Sequence, residues 1–243
     1  MQPKILYEDE QILVCVKPAG TATQTAKTAS QDMVSIIKNY LVQKGSLRDP
    51  YLGIVHRLDQ PVSGILVFGK TKTAAAELGG QLQGDEAGKE YLALCLGKLQ
   101  KEEGTLVHYL KKDKLTGLAV VTDEKDREGK RAELSYVVEE KRENATLVRI
   151  RLKTGRFHQI RVQFLEAGHP LLGDKKYKTA ASEEESRKQQ LQSVALCAIS
   201  LSFKYPKAGR RRGKGSAKAA VKGMNFTLDR EDIPSWGNIE NLP

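Results

Sequence analysis

No run of apolar residues in this sequence approaches the roughly 18 needed to cross a bilayer as a helix. The opening Met1-Gln2-Pro3-Lys4 runs into Glu8, Asp9 and Glu10 instead of an unbroken apolar segment. Neither a membrane span nor a secretory leader is expected. Cysteine is scarce: Cys15, Cys95 and Cys197 are odd in number, each sits in an apolar run, and none has CxxC or His-rich zinc spacing. Buried reduced thiols in a cytoplasmic protein are expected, with no metal. No HExxH pattern and no Ser-His-Asp order is present, which disfavours a zinc enzyme or hydrolase and leaves His56, His108, His158 and His169 as structural residues. There is no internal repeat.

What is present is positive charge. Lys and Arg total 40 against 30 for Asp and Glu, a formal net charge of +10 with a pI near 9.4. A cytoplasmic protein with this excess commonly meets a polyanion, nucleic acid first. The 243 residues allow one large or two small domains and a sizeable core. Composition excludes collagen, coiled coil and a wholly disordered chain. Between Lys207 and Lys222, KAGRRRGKGSAKAAVK has seven basic residues, no acid and only small residues between. Such a segment cannot bury a core and reads as a basic loop or arm.

Patterning predicts a mixed fold. ILYEDEQILVCVKPAG reads as a hairpin stopped by Pro18 and Gly20. Met33, Ile36, Ile37, Tyr40 and Leu41 recur at helical spacing, with Ser30 as cap and Gly45 as stop. A strand over Ile65 to Phe68, an Ala-rich helix over Lys72 to Leu82 and a strand over Glu90 to Leu96 follow. Further strands are expected near 104–110, 118–122, 132–139 and 145–152, a succession that favours an antiparallel sheet. RFHQIRVQFLEAG predicts a helix with Phe157, Ile160, Phe164 and Leu165 on one stripe and Gly168 as stop.

Two clusters put charge where the pattern says half-buried. In His56-Arg57-Leu58-Asp59, ahead of Pro61, the simplest reading of Asp59 is a turn carboxylate satisfying local donors. The functional reading is a carboxylate held ionised in a partly desolvated cleft as nucleophile or base. Spacing does not choose between them. In Thr154-Gly155-Arg156-Phe157-His158-Gln159-Ile160-Arg161, Arg156 and Arg161 read as solvated helix charges, or, with Gln159 on the Arg156 face, as anion contacts near a helix start. Tyr91 opens a strand, where a ring can stack on a base while its hydroxyl stays wet.

Taken together, KPAG at 17–20, HRLDQPVSGILVFGKT at 56–71, KEYLALCLG at 89–97 and TGRFHQIRVQFLEAGHPLLGD at 154–174 resemble the RluA family of RNA pseudouridine synthases, in order, from about Ile5 to Tyr205. The resemblance implies an α/β fold of α+β type: a mixed, mainly antiparallel sheet with flanking helices and a central catalytic cleft. It implies no metal or organic cofactor. A single catalytic domain over 1–243, acting as a monomer, is expected, and, as a departure from the family pattern, no N-terminal S4-type domain ahead of the hairpin. The implied reaction is isomerisation of uridine to pseudouridine in ribosomal or transfer RNA. Asp59 resembles the catalytic aspartate, Arg57 the arginine that helps hold the target nucleotide out of the stack, Tyr91 the ring on the uracil, Ile160 the apolar contact opposite, and Arg161 the basic residue that pairs with the catalytic carboxylate. Whether Asp59 attacks ribose or uracil, or abstracts a ribose proton, stays open.

Arg156, Gln159, Arg210, Arg211 and Arg212 are candidate RNA contacts. Gln60, Val62 and Gln163 depart from the family pattern of Arg, Thr and His, which bears on RNA contacts more than on chemistry. A protein of the same fold that binds RNA or assists ribosome assembly without activity is the competing reading.

Overall fold

The computed structural model describes residues 2–25, 31–45, 48–84, 87–207 and 222–237. The chain divides into two compact units, Met1–Gly88 with Ser200–Leu228 and Lys89–Ile199 with Asp229–Pro243.

In the first unit, β1 (Lys4–Glu8) and β2 (Ile12–Lys17) form the expected antiparallel hairpin. Asp9 closes it by accepting the backbone N–H groups of Gln11 and Ile12. Next come α1 (Met33–Gln43), β3 (Gly53–Ile54), β4 (Ser63–Gly69) and α2 (Lys72–Gln83). β4 is antiparallel to both β2 and β3 and is buried along its whole length, so it reads as a continuous apolar run instead of an alternation. The expected cap Ser30 lies outside the described residues. Asp32 caps α1 in a reciprocal box with Ser35, placing the start two residues after Ser30. Thr71 caps α2, which runs on through Gly79 and Gly80.

In the second unit, β5 (Gly88–Leu96), β6 (Glu103–Lys112), β7 (Ala119–Thr122), β8 (Lys130–Lys141) and β9 (Ala145–Leu152) form an antiparallel sheet in the order β5-β9-β8-β6-β7. Leu94, Leu147, Leu172 and Ala195 centre one core cluster, and Leu110, Ala132, Val162 and Tyr177 another. α3 (Gln159–Glu166) and α4 (Ala180–Lys188) complete the unit. The strand β10 (Leu196–Lys204) carries the chain from the second unit back to the first, where its end pairs with β11 (Gly223–Thr227). The fold is thus mixed α and β with mainly antiparallel sheet. Among the described residues no helix is long and apolar enough to cross a membrane.

The Lys207 to Lys222 segment connects β10 to β11. At its base Tyr205 N–H donates to the Lys222 carbonyl (2.8 Å). Residues 208–221, with Arg210, Arg211 and Arg212, lie outside the described residues. All three cysteines are free and buried. Burial pushes the Cys15 and Cys95 thiols up to about 12, which leaves them unreactive at neutral pH.

Glu8 ties β1 to its neighbours by accepting from Lys70 (2.9 Å), Lys44 (2.9 Å) and Tyr40 (3.0 Å). Burial pushes its pKa up, but these donors outweigh it and hold the carboxyl at about 2. Because the folded value lies below the unfolded one, the stabilisation is present above about pH 4.5 and is lost as pH falls toward 2. Glu8→Gln is expected to cost about 1–2 kcal/mol at pH 7, after allowance for solvent screening. Urea midpoints of wild type and variant should converge as the pH approaches 2.

Candidate active site

Each unit presents part of the expected residue set. In the first unit the chain leaves β2 through Lys17-Pro18-Ala19-Gly20, and Lys17, although charged, is fully buried. Its Nζ donates to the carbonyls of Pro18 (3.0 Å), Thr21 (2.6 Å) and Gln60 (3.0 Å). Gln60 O also accepts Gly20 N–H (2.9 Å), and Gln60 Nε2 returns a bond to Gly20 O (3.0 Å). Gly20 has φ +87, which suits glycine at this crossing. On the other side of Asp59, Thr23 Oγ1 donates to Leu58 O (2.9 Å) and accepts Leu58 N–H (3.2 Å).

Asp59 is therefore held between two residues whose backbones are bonded to the β2–α1 connection, and its own carbonyl accepts Val62 N–H (3.0 Å) to close the Pro61 turn. Asp59 is half-buried and Arg57 exposed. His56 accepts Val67 N–H (3.2 Å), a structural use that fixes the approach to the loop. A carboxylate on a turn this constrained loses little freedom when it engages a substrate.

In the second unit, Tyr91 lies in β5 opposite Ile150 of β9 and is 8% exposed, so the ring is a packed element of the sheet. α3 starts at Gln159, two residues later than a stripe from Phe157 requires. Phe157 precedes the helix and is exposed, whereas Ile160 and Phe164 are buried as expected. The cause is His158, whose left-handed backbone (φ 53) breaks the helical run.

Arg156, also before the helix, is exposed and sends Nε to the Arg131 carbonyl (3.0 Å). Gln159, expected beside it as an RNA contact, is buried. Its Oε1 accepts Thr154 Oγ1–H (2.8 Å) and Arg156 N–H (2.9 Å), and its Nε2 donates to Glu133 O (3.1 Å). Its amide is committed to shaping the TGR turn, because a buried amide must satisfy its donors and acceptor within the protein.

Arg161 is buried and forms a bidentate pair with Asp174, Nε to Oδ2 at 2.6 Å and Nη2 to Oδ1 at 2.7 Å. Asp174 Oδ1 also accepts the N–H groups of Lys176 (2.8 Å) and Tyr177 (3.1 Å). The Tyr177 ring lies 5.0 Å from the guanidinium carbon, and its hydroxyl is fixed by Ala119 N–H (2.7 Å) and His158 Nδ1 (2.8 Å). Fork, ring and hydroxyl together fix the guanidinium plane. Gly173, beside Asp174, has φ +73, and a Cβ there would lie 2.1 Å from Ser193 O, so only glycine admits this turn.

Lys17, Asp174 and Tyr177 are the organising residues that pattern reading did not single out as site residues. Lys17 carried one signal, a lysine closing an apolar strand at a Pro-Gly stop. His108 takes part in a partly buried contact, its Nδ1 lying 3.1 Å from Gln163 Nε2. Gln163, fully buried, also donates to the carbonyls of Leu106 and Ala132 (both 3.2 Å).

Residues 11–166, more than half the chain, match the family described as RNA pseudouridylate synthase. Similar proteins include ribosomal large subunit pseudouridine synthase C of Pasteurella multocida, 35% identical over 212 residues that cover 86% of this chain and 62% of that protein. Synthase D of Nitrosomonas europaea is 36% identical over 212 residues, covering 85% and 59%. The chain thus spans less than two thirds of the length of these relatives. Among solved structures, human RNA pseudouridylate synthase domain containing 4 superimposes with a TM-score of 0.73 at 20% identity, covering 96% of this chain and 90% of that one. Human RNA pseudouridylate synthase domain containing 1 gives 0.70 at 21%, covering 94% and 84%. These structures share the fold, and the sequence match over residues 11–166 places the chain in the RNA pseudouridylate synthase family.

Proposed function

We propose that this chain isomerises uridine to pseudouridine within RNA, with Asp59 as the catalytic carboxylate. The observation that carries the reading is that the family match over residues 11–166 spans Arg57, Asp59, Tyr91, Ile160 and Arg161 together. The reaction breaks the bond from uracil N1 to ribose C1′ and forms one from C5 to C1′. C5 gives up its proton and N1 acquires one, so the net change is an isomerisation that needs no redox partner.

The base must leave its stack before it can react. In the proposal Arg57 holds the extruded nucleotide, Tyr91 packs on the uracil, Ile160 lies against its other side and Arg161 supports the ionised carboxylate. The names of the relatives favour large-subunit ribosomal RNA over transfer RNA as substrate. The protein is taken to work as a cytoplasmic monomer without metal or organic cofactor.

Tritium release from RNA labelled at uracil C5 tests the reading directly. Release from large-subunit ribosomal RNA transcripts, and not from transfer RNA, is expected. Binding without release would favour the inactive RNA-binding alternative.

The arm between β10 and β11 is proposed to add phosphate contacts without reading bases, since its sequence has no aromatic residue for stacking. Each phosphate neutralised on single-stranded RNA contributes about 0.7 to the slope of log affinity against log salt. Changing Arg210, Arg211 and Arg212 to Ala should flatten that slope by up to about 2 and leave the rate at saturating RNA nearly unchanged. An unaltered slope would mean that the arm touches nothing.

A further inference from the structure

An exposed aromatic ring that is rigidly held needs a reason. Phe157 keeps 46% of its surface open, although it lies in the turn that leads into α3. Its ring stacks on the buried His158 ring, with centroids 3.7 Å apart and planes 24° apart. His158 is itself anchored to the Tyr177 hydroxyl (2.8 Å). On the other side, Arg156 N–H is bonded to Gln159 Oε1 (2.9 Å) and Arg156 Nε to Arg131 O (3.0 Å). The ring is thus presented from a pinned backbone while nearly half of it stays uncovered.

The charge around it is unbalanced. Lys112, the last residue of β6, places Nζ 5.6 Å from the Phe157 ring centroid. Among the described residues neither Lys112 nor Arg156 has a carboxylate partner. Several cations elsewhere on this sheet are paired: Arg131 and Lys153 with Glu133, Arg149 with Glu139, Arg151 with Glu90. A ring that is nearly half exposed and two cations without a carboxylate partner among the described residues therefore coincide at one place, a combination suited to a single-stranded nucleotide, whose base can stack on the ring and whose phosphate the cations attract.

We infer that Phe157, with Lys112 and Arg156, forms a stacking platform for an unpaired base of the RNA substrate other than the reacting uridine. The inference rests on the proposed RNA activity. Stacking is tolerant of base identity, so the platform positions the strand and specifies unpaired structure instead of a sequence.

The test compares two fluorescent probes in anisotropy titrations, a mixed-sequence single-stranded oligoribonucleotide and an abasic ribose-phosphate strand of the same length. Phe157→Leu keeps apolar bulk but removes the aromatic face. It is expected to weaken binding of the base-bearing strand about 5- to 100-fold and to leave the abasic strand unchanged. Phe157→Trp should restore the preference, and Lys112→Gln should weaken both strands alike. Equal thermal midpoints for wild type and Phe157→Leu, on which all but the ring face is retained, are expected alongside.

Wild-type binding of both strands by Phe157→Leu overturns the inference, as does an equal loss on both. If wild type releases tritium from RNA and Phe157→Leu binds normally, only the platform is wrong. If wild type neither binds nor reacts, the functional reading falls as well.

Discussion

Asp59→Asn is expected to lower tritium release by at least about three orders of magnitude, because under the proposed function the group that carries the chemistry is removed. The amide has almost the same volume as the carboxylate, so the change is one of charge and basicity alone. The loop should keep its place, since Lys17, Gly20 and Thr23 hold it through the backbone of Leu58 and Gln60. Thermal midpoint and RNA affinity should therefore stay near wild type while turnover disappears. Appreciable pseudouridine formation by a preparation shown to be free of wild-type enzyme would remove Asp59 from the mechanism.

The second large effect concerns stability. Arg161 and Asp174 form a pair with side chains only 3% and 0% exposed. Arg161→Ala strands the Asp174 carboxylate in the interior, and a buried charge that loses its partner destabilises by about 3–5 kcal/mol. Asp174 keeps two backbone N–H donors in that variant, which places the expected loss toward the lower end. Arg161→Lys retains the charge but not the planar fork and should fall between wild type and Ala. Asp174→Ala should cost a similar amount, and the double variant less than the sum of the two, because each single change already breaks the same pair. Urea midpoints for wild type and the four variants check this; strictly additive losses would show that the two residues act independently.

The legibility of this protein in its sequence differs from element to element. The β1–β2 hairpin was readable because a polar turn separates two apolar runs, and β6 to β9 because charged turns break the chain at strand-length intervals. α4 is hard to find: AASEEESRK has no apolar stripe, and Ser182 is its only buried residue. The start of α3 was misplaced because Phe157 fits the helical period, while the left-handed turn at His158 is stabilised by a residue 19 positions away. Gln159 looked like a surface amide, since nothing in its neighbourhood announces the Glu133 carbonyl that it satisfies from within.

By itself the sequence determined the mixed fold class, the family, and the presence of a turn at Asp59. All three depend on residue types and short spacings that the chain carries wherever it is placed. Only the tertiary structure decided what holds the candidate residues. Lys17 reaches Gln60 across 43 positions, and Arg161 is forked by a carboxylate 13 residues on and backed by Tyr177. Burial is a property of the assembled chain: it turns Lys17 and Arg161, which in sequence look like surface cations, into interior charges that must find partners. The same packing leaves Phe157, which in sequence looks like core, open to solvent.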